Sequence, residues 1–399
     1  MEKELLELVL RRHCKASSID SILDLKVSPG AKDHEGWLST VTRFTMKVVL
    51  KNGRLATKRL IMKFAQCRDK ESSEFIKDYN VFKIETMMYK TVLEEMEYLM
   101  EEFEDTDGVL WCKLVHHIPY SCLILEDLKA SGFDMLDRQS FLDLDSALLA
   151  AHSLGRYHGM SKKLEERGLI SKDDYKAWFV FEDIEMQKSW LLNINVLIEA
   201  VKKDWDSSWE PIVDRIKFKN ETFHEKLKKL GEVNESKFNL LNHGDCHKNN
   251  IMLKYDWEGK PVALRFIDFQ LPHYGSPCCD LTFLLYLGVD PFIRREHYNK
   301  LVEVYYASLL RSLERFQYEG KKPTLEEMKE DMEIFSFFGL SLVLFAYPVM
   351  FASKDIPLFG VDETEKNSVG TIDPERYTSE SFKKKLSPDL NTFVQRFFK

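Results

Sequence analysis

The sequence predicts an α+β fold with two lobes, a small β-rich N-terminal lobe and a larger, mostly helical C-terminal lobe. Two observations lead to this prediction. Strand patterns dominate the chain up to about residue 126, and apolar residues at helical spacing dominate most of the remainder. The 399 residues, 44% of them hydrophobic, are enough to bury a sizeable core. We expect residues 1–126 to form the N-terminal lobe and residues 127–399 the C-terminal lobe.

The N-terminal lobe is predicted to contain helices on either side of a hairpin. The first twelve residues form an amphipathic helix with one apolar side, made of Leu5, Leu6, Val9 and Leu10. Strands over 44–51 and 54–64 flank Asn52-Gly53, a pair that suits the positive φ angles of a tight turn. A helix over 75–100 and a strand over 122–125 follow.

The C-terminal lobe begins with a long helix predicted over 141–161 and a charged, helical stretch over 172–235. A strand-rich segment, 238–270, interrupts the helices. Within it, an apolar run from Ile251 and a return strand over 262–267 predict a second hairpin.

Composition and charge exclude several classes of protein. The formal net charge is −8 and the pI about 5.9, which argues against nucleic acid as the main partner. The seven cysteines have no regular spacing, so a reducing compartment fits better than a disulfide framework. No apolar signal core follows the N-terminus. We expect a soluble, cytoplasmic protein of unknown oligomeric state.

One segment is long enough to span a bilayer. Residues 334–353 are twenty residues without a charge. Because Gly339, Pro348 and three serines interrupt this segment, we expect a buried core helix and no membrane span.

Three polar side chains in 238–270 form the most informative pattern. The second hairpin is expected to bring Asp268, at the end of its return strand, back beside Asn250, which follows Asp245 by five residues. Phosphoryl transfer depends on positioning and on neutralising phosphate charge, and Mg²⁺ prefers hard oxygen ligands. Asn250 and Asp268 are therefore predicted metal ligands, and Asp245 is predicted to orient an acceptor hydroxyl and take its proton. His243 is expected to fix the loop by hydrogen bonds.

A metal-hydrolase site is the alternative interpretation of this segment. It would use His243, Asp245, His247 and either Cys278 or Cys279. No spaced repeat of His or Cys elsewhere supports it.

The N-terminal lobe contains candidates for a nucleotide clamp. Lys63 lies in a predicted strand and can hold the α- and β-phosphates of ATP, and Glu85 lies in a predicted helix and can pair with Lys63. The segment from Glu126 to Leu128 suits a hinge that binds adenine through its backbone. No Walker motif or Gly-x-Gly-x-x-Gly occurs, so Ser39 and neighbouring amides are the candidates for phosphate contacts.

The ordered set of His243-Gly244-Asp245, Asn250 and Ile267-Asp268-Phe269 resembles the catalytic and metal loops of the aminoglycoside phosphotransferase and choline kinase superfamily. A narrower resemblance is to the ecdysteroid kinase-like family, also called CHK kinase-like. It covers roughly residues 35 to 350 and is most specific in the segments 123–129, 241–245, 249–254, 266–271 and 274–281.

This resemblance implies a protein-kinase-like two-lobe fold, ATP and Mg²⁺, and transfer of the γ-phosphate to a small-molecule alcohol. The expected acceptor is an ecdysteroid or a hydroxylated xenobiotic, the latter in detoxification. Gln270, where protein kinases have glycine, is usual in the narrower family. Two features depart from the family pattern: glycines are sparse in the expected phosphate loop, and Cys246-His247-Lys248 follow Asp245 in the expected catalytic loop. These departures leave the identity of the substrate and the rate open. A catalytically silent module that binds nucleotide or a lipophilic hormone is the alternative.

A small acceptor also follows from the short path between Asp268 and Asp280, twelve positions further on. A protein kinase has a long peptide-binding platform there. Asp280 is expected to brace the catalytic loop by accepting backbone hydrogen bonds. Helices over 165–235 and 325–350 are expected to wall an acceptor pocket. The candidate wall residues are aromatic: Trp178, Phe181, Trp190, Phe337, Phe338 and Tyr347.

Overall fold

A computed structural model describes most of the chain and shows a mixed α+β fold. The described residues are 2–13, 19–30, 39–64, 81–119, 121–137, 140–175, 184–216, 220–350, 377–378 and 380–398. The chain divides into two compact units. Unit 1 contains Met1–Asp134, Met252–Glu258 and Arg265–Leu271, and unit 2 contains the remainder.

Unit 1 contains a five-stranded antiparallel sheet with the order β1-β2-β3-β5-β4. Its strands are β1 (Ile19–Pro29), β2 (Thr40–Leu50), β3 (Leu55–Phe64), β4 (Leu114–Ile118) and β5 (Cys122–Glu126). The predicted first hairpin and the predicted strand at 122–125 are confirmed. Gly53 in the hairpin turn has φ +77°, a conformation that L side chains rarely adopt.

The core of unit 1 lies between this sheet and the N-terminal helix α1 (Glu2–His13). The predicted apolar side of the helix is buried at Leu6, Val9 and Leu10. Alternate residues of β2 complete the core because side chains of a strand point to opposite faces in turn: Phe44, Met46 and Val48.

The helix predicted over 75–100 is confirmed from residue 81 onwards, and residues 75–80 lie outside the described chain. It consists of α2 (Val81–Met87), a π turn (Met88–Val92) and α3 (Leu93–Glu102). Tyr89 is buried in the π turn. Such turns inside helices occur frequently at functional sites.

The second predicted hairpin is also confirmed. It consists of β8 (Ile251–Tyr255) and β9 (Pro261–Phe266), which with β6 (Asp134–Met135) form a sheet of order β6-β8-β9. Phe266 pairs with Trp111 at the end of β9. Asp268 follows immediately, so the hairpin determines where its carboxylate lies.

Unit 2 is mostly helical. Its main helices are α4 (Leu144–Glu166), α5 (Ile184–Asp204), α6 (Glu210–Val213), α7 (Asn220–Gly231), α8 (Cys278–Phe283), α9 (Pro291–Arg315), α10 (Leu325–Met350) and α11 (Glu380–Phe397). Strands β7 (Leu240–Asn242) and β10 (His273–Gly275) pair with each other. The first long helix begins at residue 144 and not at 141, because the Asp143 side chain caps it by accepting from the Ser146 N–H.

The aromatic residues predicted to line an acceptor pocket are buried in unit 2 where they are described. Trp190 stacks on Phe338, Phe337 packs against Phe223, and the Tyr347 hydroxyl donates to a backbone oxygen. Trp178 and Phe181 lie outside the described residues. Among the helices described, none is both long and apolar enough for a membrane crossing.

Helices α4 and α9 approach each other closely because α4 has glycine at two positions one turn apart. A Cβ on Gly155 would lie 2.5 Å from the Tyr305 carbonyl oxygen, and one on Gly159 would lie 2.4 Å from the Ser312 Cβ. Ser308 and Ser312 donate to carbonyl oxygens of α4 across this contact. The small residues therefore determine the spacing of the two helices.

We predict that Gly155→Ala lowers the free energy of unfolding by about 1–3 kcal/mol, because the methyl group meets backbone atoms. Alanine normally stabilises a helix interior relative to glycine by about 0.5–1 kcal/mol, so the sign of the change is diagnostic. Urea unfolding of the two proteins measures it. A more stable variant would show that the helices are not in close contact.

Candidate active site

Unit 1 brings three of the predicted site residues into one buried group. The Nζ atom of Lys63, on β3, lies 2.8 Å from Oε1 of Glu85, on α2. The same atom lies 2.8 Å from Oδ1 of Asp268, which follows β9. The Lys63 side chain is 7% exposed and that of Glu85 is 1% exposed, whereas Asp268 is 35% exposed. The lysine charge is therefore fixed by two carboxylates, one buried and one that solvent reaches.

Burial and charge oppose each other in this group. Burial lowers the pKa of Lys63, but the Asp268 and Glu85 carboxylates outweigh it and raise the pKa above the ordinary value. Burial raises the pKa of Glu85 to about 7, against the opposing effect of Lys63. Lys63 therefore remains a cation at neutral pH.

The backbone turns sharply at Asp268. Its φ is +67°, in the left-handed region that Asp tolerates better than most residues. The next residue, Phe269, is fully buried and packs edge-on against Tyr89 of the π turn, with ring centroids 5.7 Å apart. The hydroxyl oxygen of Tyr89 lies 3.0 Å from the Cys112 sulfur. The turn at Asp268 thus places Phe269 against the helical segment that also carries Glu85.

The loop that follows β7 in unit 2 is organised around Asp245. The Nδ2 atom of Asn250 donates to the Asp245 backbone oxygen at 2.9 Å and to its carboxylate at 2.8 Å. His247 Nε2 lies 3.3 Å from the other carboxylate oxygen. The Asp245 N–H points to His243 Nδ1 at 3.3 Å.

Asp245 is suited to act as an anion. Its side chain is 23% exposed. Burial raises the pKa of Asp245, but His247 and His243 and the Asn250 amide outweigh it, so that the pKa lies below its ordinary value. The sequence pattern did not reveal the contribution of His247, although its position two residues after Asp245 was a signal.

Asp280, also in unit 2, accepts backbone hydrogen bonds from this loop. Its carboxylate is fully buried and accepts from the N–H groups of His243 at 2.6 Å and Gly244 at 2.9 Å. His158 Nε2 lies 3.0 Å away, and Nδ1 of the same ring lies 2.6 Å from the Tyr305 hydroxyl. Since the carboxylate only accepts, Nε2 donates to it and Nδ1 accepts from Tyr305. Burial opposes ionisation, but hydrogen bonding and charge from His158 lower the pKa of Asp280.

Of the predicted hinge and phosphate-contact residues, Glu126 lies on the same sheet as Lys63. Glu126, at the end of β5, is opposite Leu60 of β3, and its carboxylate accepts from the Lys113 N–H. Leu128 begins a 3₁₀ turn capped by Asp127. Ser39 is buried next to Thr40, the first residue of β2. The nearby Gly36 lies outside the described residues.

Of the residues of the alternative metal-hydrolase site, His243 and His247 contact Asp245, whereas Cys278 is buried in the helical core. Cys278 Sγ lies 3.5 Å from the Met328 sulfur in the helical core. Within the described ranges, no three or more His, Cys, Asp and Glu side chains are grouped so that they could hold a metal ion.

Comparison with known proteins gives the family. The model of the ecdysteroid kinase-like family matches residues 33–318, more than half of the chain. The chain belongs to the ecdysteroid kinase-like family. The predicted resemblance to this family is therefore confirmed.

Several solved structures are similar over almost the whole chain at low identity. A proposed aminoglycoside phosphotransferase of Ralstonia eutropha is 12% identical, with 98% of this chain and 97% of that chain covered and a TM-score of 0.43. An amicoumacin kinase in complex with AMP-PNP and Ca²⁺ is 14% identical, with coverages of 100% and 97% and a TM-score of 0.41. A microcompartment-associated aminopropanol kinase is 12% identical, with coverages of 98% and 97% and a TM-score of 0.39. No curated protein sequence matches the chain.

We predict that Asp280→Asn lowers the free energy of unfolding at about pH 7 by about 3 kcal/mol, because a buried, charged acceptor of three hydrogen bonds is lost. The folded pKa of Asp280 lies below the ordinary value of 3.8. Its contribution is therefore present above that value and is lost as the pH falls through the folded pKa. Urea unfolding at several pH values measures this.

The exposed Asp174→Asn is the matched control and is expected to change stability by less than about 0.5 kcal/mol. If the difference between wild type and Asp280→Asn stayed constant down to about pH 2, the ionised brace would be contradicted.

Proposed function

We propose that this protein is an ATP- and Mg²⁺-dependent kinase that transfers the γ-phosphate of ATP to a hydroxyl group of a small-molecule alcohol. The observation that carries the proposal is the buried Lys63 held between Glu85 and Asp268. Family membership supports the reaction class, and the family description suggests an ecdysteroid as acceptor. A hydroxylated xenobiotic is the other acceptor that we propose. All five cysteines that the structure describes are free, which supports a cytoplasmic location.

Lys63 is the proposed ligand of the nucleotide phosphates. Its charge is permanent at neutral pH, and its position is fixed by Glu85, so that phosphate binding requires little further ordering of the side chain. Ser39 and the backbone from Glu126 to Leu128 are proposed to contact the phosphates and the adenine respectively.

Asn250 and Asp268 are the proposed ligands of Mg²⁺. Asp268 and Asn250 offer only hard oxygen atoms as ligands, which is the chemistry that Mg²⁺ prefers. Because the amide nitrogen of Asn250 donates to Asp245, the amide oxygen is the atom left for a metal ligand. When bound, the metal supplies neutralisation of the charge on the phosphate oxygens.

Asp245 is proposed to bind the acceptor hydroxyl and receive its proton. The His247 and Asn250 contacts orient its two carboxylate oxygens. Because the pKa of Asp245 is below its ordinary value, this carboxylate is a weak base in the ground state. Its main contribution is therefore orientation of the hydroxyl, and the proton follows as the bond to phosphorus forms.

We predict that Asp245→Asn lowers the rate of phosphoryl transfer by about 10²–10⁴-fold, because the acceptor hydroxyl loses its proton acceptor. The assay supplies Mg²⁺ and γ-labelled ATP with a panel of hydroxylated steroids and phenols, and mass spectrometry detects phosphorylated products. Asp256→Asn in the β8–β9 turn is the control, and thermal unfolding checks that both variants fold. Full activity of Asp245→Asn would contradict its role.

We predict that Lys63→Met weakens binding of ATP and lowers transfer by about 10²-fold, because the phosphates lose a preorganised cation. Equilibrium titration with ATP and the same transfer assay measure this. The exposed Lys47→Met on β2 is the matched control. If wild type bound ATP but phosphorylated no acceptor, the catalytically silent module would replace the kinase.

A further inference from the structure

We propose that Gln270 is a positioning residue of the nucleotide site: its side-chain amide donates to Oε2 of Glu85 and thereby holds Glu85 against Lys63. This inference rests on the proposed ATP-binding function of the group. The proposed phosphoryl transfer assigns no role to Gln270, and this inference supplies one.

Two buried polar atoms in this region, one acceptor and one donor, have no hydrogen-bond partner. Glu85 uses Oε1 for Lys63, while its Oε2 is buried without a hydrogen-bond partner. In the described part of unit 1, it is the only buried side-chain acceptor atom in that condition. The Nε2 atom of Gln270 is a buried donor that also lacks a partner. Buried polar atoms without a partner are rare in native proteins and need an explanation.

The chain path places the two groups together. Gln270 follows Asp268 by two residues, and Lys63 Nζ lies 2.8 Å from both Asp268 and Glu85. Between them, Phe269 packs on Tyr89, which lies one turn beyond Glu85 on the same helical segment. Gln270 itself is 4% exposed. The Gln270 amide is also close enough to oppose the rise in the pKa of Glu85.

Both side chains are buried in the same region, so the proposed hydrogen bond brings two otherwise unpaired atoms together. A carboxylate that pairs through one oxygen only can rotate about its side-chain torsions, and Lys63 would follow it. With the second oxygen held by an amide, Glu85 has one orientation. The amide suits this task better than an acid or a base, because it donates without adding charge beside Lys63 and Asp268.

The test compares variants of similar side-chain volume. Gln270→Met keeps the packing but removes the donor, and we expect the dissociation constant and KM for ATP to rise about tenfold. The KM for the acceptor stays within about twofold, because Asp245 and its loop are untouched. Gln270→Glu places a second carboxylate beside Glu85, and we expect the affinity for ATP to fall about a hundredfold. The same exchange at an exposed position, Gln395→Met, is the control.

An exchanged pair separates positioning from packing. The double variant Glu85→Gln with Gln270→Glu again has one carboxylate and one amide, so we expect it to bind ATP at least about tenfold better than Gln270→Glu alone. If Gln270 only fills space, Gln270→Met leaves ATP binding unchanged and the exchange gives no recovery. Either result overturns the inference.

A readout that needs no nucleotide separates the inference from the proposed function. Urea unfolding of wild type, Gln270→Met, Glu85→Gln and the combined Glu85→Gln/Gln270→Met variant gives the coupling between the two side chains. Additive effects would refute the contact even in an active kinase. Coupling between the two side chains in a protein that binds no ATP would support the contact and contradict the proposed kinase activity. Coupling together with the selective change in ATP binding supports both.

Discussion

A lysine charge removed from water is the constraint on which unit 1 depends. An unpaired ammonium in the interior costs several kcal/mol, about as much as the whole net stability of many domains. The two carboxylates that offset this cost lie 22 and 205 residues away along the chain. Strand β3, helix α2 and the segment after β9 must therefore converge for Lys63 to be buried. The apolar contact of Phe269 with Tyr89 joins the last two of these elements at the same place.

Unit 2 contains the opposite case, a buried anion, which is stabilised by two backbone N–H dipoles and one imidazole. Asp280 receives two backbone N–H groups of the loop and the Nε2–H of His158, so its charge holds the loop in one conformation. Asp245 differs from it in exposure, since its side chain is partly accessible to solvent. The role proposed for Asp245 requires this access, and the fixed contacts around it would keep the reorganisation during that reaction small.

Much of this could be predicted from the sequence where local signals decide the structure. Asn52-Gly53 predicted the first hairpin, and the apolar runs within 251–267 predicted the second. The site assigned to Asp245, Asn250 and Asp268 from their order stays a prediction. The pairing of His158 with Asp280, 122 residues apart, could not be predicted, because a histidine inside a helical pattern gives no sign of the face it occupies. The Arg43–Asp127 ion pair, 84 residues apart, was missed beside the expected hinge for the same reason. Long-range pairs of side chains depend on tertiary packing, which no local pattern encodes.

Regular secondary structure is interrupted at two places next to the Lys63 group. Asp268 has a left-handed backbone, which costs a non-glycine residue about 1–3 kcal/mol, and the helix with Glu85 widens into a π turn. Glycine would relieve the strain at position 268 but would remove the carboxylate that Lys63 requires. The strain therefore persists because the ion pair and the buried Phe269 offset it. A turn specified in this way holds three successive side chains, Asp268, Phe269 and Gln270, in distinct surroundings. The same strained turn thus gives one short segment a charge contact, a packing contact and a buried amide.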